Sequence, residues 1–227
     1  MQDPLRIPGV LEAVGRVWEG QPELSLPTLF GILANRGIGW GASDEDLLRE
    51  LAVMERERPA RLSLVDARYL ILTTEHRVMV DPWRVIVRRP GVTAQPGVWD
   101  YSSLRPVVVG GPLVLTSEDG IEHRLGEVTA IMLIDAHPTP TVPTLDGLQR
   151  REMEDRVYLL ALEDESTVLL SHGLQRFHAG RRELAQDQLR WESLPACTPG
   201  QPLLVQPPGG GPVVELAVVG AIYLVEA

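Results

Sequence analysis

The sequence predicts an α+β protein: a helical N-terminal region followed by a mainly antiparallel β region made of two similar halves. Three observations predict it. Apolar residues recur at helical spacing over about the first sixty positions. From Ala67 onward the spacing turns strand-like. The stretch LGEVTAIMLIDA, residues 125 to 136, then returns nearly intact as LAVVGAIYLVEA, residues 216 to 227.

The first helix is read from PGVLEAVGRVWEG, where Val10, Leu11, Val14, Val17 and Trp18 form one stripe, with Pro8 in the first turn and Gly20 at the stop. After the short segment LSL, the run PTLFGILANRG again places proline at the start and glycine at the end, around Leu29, Phe30, Ile32 and Leu33. A third helix opens at Ser43, a capping hydroxyl, with Asp44, Glu45 and Asp46 where the helix dipole favours negative charge. Leu47, Leu48, Leu51 and Met54 are its apolar face, and Pro59 limits its length.

In the β region, RYLILTT and HRVMVDPWRVIVRR read as a strand pair around TEH, ended by Pro90. GVTAQPGVWDYSSLRP reads as loop. Further strands run through VVVGGPLVLTSEDGIEHRLGEVTAIMLIDA, with Asp119-Gly120 as a hairpin turn. The prolines of residues 137–147 mark a connector. RVYLLALEDESTVLLSHG is strand, GRRELAQDQLRW has helix-forming composition, and the last stretch is strand, turn, strand.

The repeat extends beyond its closing strands. Pro112, Leu113, Val114 and Leu115 match Pro202, Leu203, Leu204 and Val205, and RYLILTTEHRVMV matches VYLLALEDESTVLL. The sequence thus divides into a helical region over 1–66 and a β region over 67–227, whose duplicated halves span about 66–136 and 155–227. The expected purpose is to complete a core, the halves packing on each other as a sandwich or barrel. The competing reading is that any two strand pairs drawn from Val, Leu and Ile look alike.

The order helix, LSL strand, helix, helix, strand, turn, strand over about residues 8 to 88 is similar to a winged-helix domain, which would extend the N-terminal region to about 89. The resemblance rests on element order and implies a fold, not a particular family. A DNA-reading winged helix needs a basic third helix, whereas SDEDLLRELAVMERER carries Asp44, Glu45, Asp46, Glu50, Glu55 and Glu57. If DNA is bound nonetheless, Arg84, Arg88 and Arg89 are the candidate phosphate contacts. Their alternative role is to guard a strand edge.

Composition narrows the classes further. The formal net charge of −10 repels phosphate backbones. No apolar run reaches membrane-spanning length and no signal region opens the chain, so a cytoplasmic protein without membrane contact is expected. The single cysteine, Cys197, supplies neither a disulfide framework nor a thiolate zinc site and reads as a bystander in LPACTPG. The histidines show no HxH or HExxH spacing. NRGIGWGASDED lacks the lysine of a phosphate-binding loop and reads as a tight turn pinned by a packed Trp40. No metal or cofactor is expected.

Ser171 and His172 are adjacent on a strand pattern and therefore cannot face the same way as a dyad. With no coherent catalytic constellation, the expected function is a non-catalytic protein-interaction or regulatory protein. Trp40, Trp99 and Tyr101 are the candidate partner contacts, and a homodimer is left open. Two alternatives stand beside it. One is a winged-helix DNA-binding regulator whose β region dimerises or senses; the other is an enzyme assembled from distant strands, with His172 or His178 as acid or base beside a carboxylate.

Overall fold

The computed structural model describes residues 4–90, 95–179 and 184–227. It is mixed α+β, mostly β, and divides into two compact units: Met1–Val87 with Val98–Ala136, and Arg88–Gly97 with His137–Ala227.

The first unit begins with α1 (Arg6–Glu19), α2 (Leu26–Asn35) and α3 (Asp44–Glu57). Val14 and Val17, Leu29 and Leu33, and Leu51 and Met54 contribute one pair from each helix to a shared core. The predicted cap at Ser43 forms, and Ser25 supplies a second. Ser25 accepts from the Thr28 N–H at 3.3 Å, so the LSL segment leads into α2 as a cap and is not a strand. Ser43 accepts from the Asp46 N–H at 3.1 Å, while the Asp46 carboxylate accepts from the Ser43 N–H at 3.4 Å. This reciprocal cap satisfies donors that the first helical turn cannot, and such caps stabilise by ~1 kcal/mol. Arg36 ties the end of α2 to α3 through Glu50 at 2.9 Å and Glu57 at 2.7 Å.

Eight strands follow: β1 (Arg61–Leu62), β2 (Arg68–Thr73), β3 (Arg77–Val80), β4 (Arg84–Arg88), β5 (Gly97–Leu104), β6 (Val107–Val108), β7 (Pro112–Ser117) and β8 (Glu122–Asp135). β1 pairs with β6, and the other six close into a barrel in the order β2-β3-β4-β5-β7-β8. The long β8 closes it. Its first half pairs with β7 and its second half with β2.

The second unit holds β9 (Val157–Leu162), β10 (Thr167–Leu170), β11 (Leu174–Ala179), β12 (Leu184–Leu189), β13 (Ser193–Ala196), β14 (Pro202–Gln206) and β15 (Val214–Glu226). They form one sheet in the order β12-β11-β10-β9-β15-β14-β13. The two ends of that sheet, β12 and β13, are consecutive in the chain, separated only by Arg190, Trp191 and Glu192. The sheet is therefore the meander of the first unit with its counterpart of β5 broken in two.

The likeness extends to individual residue pairs. In β2 and β8, Tyr69 faces Leu133, Ile71 faces Ile131 and Thr73 faces Val128; in β9 and β15, Tyr158 faces Leu224, Leu160 faces Ile222 and Leu162 faces Val219. Register irregularities fall between the same partners in both ladders. Pro112 opposite Glu127 and Leu115 opposite His123 correspond to Pro202 opposite Val218 and Val205 opposite Val214. The Gly110 N–H donates to the Val128 carbonyl, as the Gly200 N–H does to that of Val219, both at 2.8 Å.

Each unit has its own core. Ile71, Val85, Leu113 and Ile131 lie at the centre of the first, and Leu160, Val168, Leu203 and Ile222 at the centre of the second. A half does not depend on its twin to bury one sheet face, because a meander whose last strand returns to its first encloses its own apolar side.

Four further expectations are corrected. GVTAQPGVWDYSSLRP is not all loop: residues 91 to 94 lie outside the described residues, but Gly97–Leu104 is β5, where Trp99 and Tyr101 alternate with exposed Val98, Asp100 and Ser102. HRVMVDPWRVIVRR is two strands, because the Asp81 carboxylate accepts from the N–H groups of Trp83 and Arg84, both at 3.0 Å, and folds the chain over. The helix expected over GRRELAQDQLRW is β12; residues 180–183 lie outside the described residues, and the rest pairs with β11 from Leu174–Leu189 to Ala179–Leu184. Sheet pairing overrides the local helix propensity of those residues. Cys197 is a fully buried core residue, its thiol pushed up to about 12 by burial and the neighbouring Asp146 charge.

Candidate functional site

The second unit carries a cleft whose cationic side chains come from separate segments. The turn Ser171-His172-Gly173 joins β10 to β11, held by the Ser171 N–H to the Gly173 carbonyl at 2.8 Å and the Gly173 N–H to Ser171 Oγ at 3.2 Å. Trp191 is 1 % exposed and its indole N–H donates to the Ser171 carbonyl at 2.9 Å. The turn is thereby fixed over a rigid aromatic floor. On either side of Trp191, Arg190 and Glu192 are exposed. Arg150 starts a short 3-10 turn, Arg150–Glu152, and its N–H donates to the Glu192 carbonyl at 2.9 Å.

The result is a lobe of about 450 Å³ lined by Arg150, His172, Trp191, Glu192 and Pro208, and a neighbouring lobe of about 730 Å³ that shares Arg150, His172 and Pro208 and adds Arg190. Gln149 and Arg151 line the first lobe and Gln188 the second. Among the described residues Glu192 is the one carboxylate in either wall. Such a lining can hold an anion by several donors at once.

The first unit has a cleft of about 850 Å³ of another character. Leu72, Val128 and Met132 of the barrel, with Val109 just after β6, make its apolar wall, facing Pro22, Glu23 and Arg58 of the helical part. Glu23 and Arg58 are within 3.8 Å of each other.

The residues singled out from the sequence do not converge. Trp40 is fully exposed in the loop between α2 and α3, so it does not pin that loop by packing. Trp99 stacks on His123 with centroids 5.0 Å apart, and Tyr101 packs on the barrel core while its hydroxyl donates to the Asp81 carbonyl at 2.8 Å. Arg84 and Arg88 are half-buried on one face of β4, Arg88 pairing with Glu226; Arg89 is exposed just beyond.

His178 does meet a carboxylate, Asp187 at 2.9 Å across β11 and β12, but neither residue lines the clefts described above. Ser171 Oγ donates to the Gly173 carbonyl and not to His172. A serine, histidine and aspartate do gather at the β7–β8 turn, where Ser117 Oγ donates to Asp119 at 2.5 Å and lies 3.1 Å from His123 Nε2. There the serine bridges the other two. In a nucleophilic triad the histidine is the bridge, so this cluster locks a turn. Among the described residues no group of three histidine, cysteine or acidic side chains is placed to hold a metal ion. None of their helices is long and apolar enough to cross a membrane.

The helices leave large apolar side chains in solvent. On α1, Ile7, Leu11 and Trp18 are 47 %, 64 % and 38 % exposed and fall on one stripe beside the buried stripe of Val14 and Val17; Phe30 on α2 is 49 % exposed. Compared with protein-family profiles, curated proteins and solved structures, the chain matches none.

Sequence reasoning missed Arg150 and Arg190. The repeat carried the signal for Arg190. The matched turns put His172 where the first half has Pro82, and the matched aromatics Tyr101 and Trp191 put Arg190 where it has Asp100.

Proposed function

We propose that this is a non-catalytic interaction or regulatory protein that recognises a protein partner through its N-terminal helices. The observation that carries this is the exposed apolar stripe of Ile7, Leu11 and Trp18 on a helix that already buries a second stripe in its own core. A solvated helix face is ordinarily polar, and an apolar one gains most by being covered. Ion pairs from Arg6 to Asp44 and from Arg16 to Glu55 at 3.0 Å hold α1 on α3, so the stripe is presented by a fixed element. We further infer that the two β units arose by duplication and serve as the scaffold, supported by their shared pairing registers.

The winged-helix DNA reader has less support. α3 ties several of its acids to arginines of its own unit and offers no basic face, and the strands after it go into a closed barrel. The test is quantitative capture from the source lysate with the full chain and with Leu11→Glu and Phe30→Glu variants, alongside mass in solution by light scattering. A partner, or a second copy, held by the parent chain and lost by the variants is the expected result. No partner, or one held equally by the variants, overturns the proposal, and salt-sensitive binding of duplex DNA in its place favours the alternative.

A further inference from the structure

We infer that the cleft over Trp191 is a phosphate subsite for a small phosphorylated molecule. It is independent of the helical partner surface, since every residue lining it belongs to the second unit.

Charge is the first argument. In a chain of net charge −10, Arg150 and Arg190 gather with Arg151 and the His172 imidazole around one opening whose described lining holds a single carboxylate, Glu192, while Arg151 is already paired with Glu152 at 3.9 Å. Elsewhere the arginines of this protein are mostly matched by acids, as Arg36 is by two glutamates and Arg176 by Asp164 at 2.7 Å. Holding the Arg150 and Arg190 guanidinium groups at one opening, with no ion pair of their own among the described residues, costs free energy that a bound anion returns.

Geometry is the second. Arg150 is fixed at its main chain to Glu192, His172 sits on a turn bonded to Trp191, and Arg190 adjoins that same indole. The two guanidinium groups and the imidazole therefore stand on anchored backbone. The amides of Gln149 and Gln188 add neutral donors. A carboxylate is satisfied by one guanidinium fork, whereas a phosphate monoester has three terminal oxygens and up to two charges to share among several donors. Leu189 and Pro208 supply an apolar wall for the remainder of the ligand.

The internal comparison is the third. The first unit has a corresponding turn, one residue longer, and the same aromatic-to-carbonyl bond, from Tyr101 to Asp81, but Pro82 and Asp100 stand in place of His172 and Arg190. One half carries the imidazole and the guanidinium and the other does not. The scaffold therefore does not require them.

The experiment follows the Trp191 indole N–H and the His172 ring C–H by NMR in the full chain, at fixed pH and ionic strength, during titration with phenyl phosphate and, separately, benzoate. Phenyl phosphate is expected to shift both signals saturably. Arg190→Asp, which installs the first unit's residue, and Arg150→Gln are each expected to weaken binding about tenfold or more. Arg61→Asp, the same charge change in the other unit, is expected to leave it unchanged. Both cleft arginines are exposed, and the remaining amide signals report whether each variant keeps the fold. Unsaturable shifts, equal binding of benzoate, or an equal loss in Arg61→Asp would each overturn the assignment.

Discussion

The Tyr101 hydroxyl donates to the main-chain carbonyl of Asp81 at 2.8 Å. Its counterpart is the Trp191 indole donating to Ser171. Two chemically different aromatics perform one task, holding the turn that leads into the third strand of each meander while filling space beneath it. A side chain kept for its donor and its bulk need not keep its identity.

Burial, and then the Asp81 charge, push the Tyr101 phenol up to about 12. A folded-state value above the usual one of about 10 contributes stability that is complete below pH 10 and lost as pH rises towards 12. Tyr101→Phe is expected to cost about 1 kcal/mol at pH 7. Urea unfolding from pH 7 to 12 should show the parent chain losing that margin over the variant across the alkaline window.

Arg68 is buried with Asp81 and half-buried Asp135, each at 3.4 Å. Removing the cation alone, as Arg68→Ala, takes the Arg68 charge from a buried carboxylate and is expected to cost about 3–5 kcal/mol. The second unit has Val157 and Ser171 at the corresponding positions, and Ser171 Oγ accepts the Gly173 N–H as Asp81 accepts that of Trp83. The double replacement Arg68→Val with Asp81→Ser should therefore recover most of the loss, measured as denaturant midpoints.

Gly126 adopts φ +93°, and an added Cβ would meet the hydroxyl oxygens of Thr74 at 3.0 Å and Thr73 at 3.2 Å. Gly126→Ala is expected to destabilise by about 1–3 kcal/mol, from backbone strain together with crowding. Thermal unfolding of the variant is the check, with Gly37→Ala separating the two causes: Gly37 shares a positive φ of 90° but has open space around it.

Leu11 is 64 % exposed, so Leu11→Glu should change folding stability by no more than about 0.5 kcal/mol, read as a shift in Tm. A larger loss would assign the apolar stripe of α1 to folding and not to recognition.

Much of this architecture was legible because it is locally determined. Ser43 with Asp46, the proline and glycine limits of the helices, and the Asp119-Gly120 turn each act within a few residues. The repeat was legible because identical registers demand similar apolar spacing. β12 was not, since Leu184, Ala185, Gln186 and Gln188 favour helix until β11 offers a partner. β5 was missed for a related reason: Trp99 and Tyr101 alternate properly, but serines and prolines around them imitate a loop. The cationic cleft had no local signature, because Arg150, His172 and Arg190 are joined by the fold and not by spacing.

The placement of the long closing strands sets an order in time. β8 completes the first barrel once Asp135 has been added, so that barrel can close while most of the second unit has yet to leave the ribosome. The second sheet is completed in the same manner, later in the chain. β9 waits for β15, the last strand of its sheet, and until then it presents a bare hydrogen-bonding edge of strongly apolar sequence, Val157–Leu162. Each half leaves its opening strand bare over a similar stretch of synthesis, but by the time β9 is made the barrel of like sequence can already be closed, with no open edge left there for β9 to mispair with.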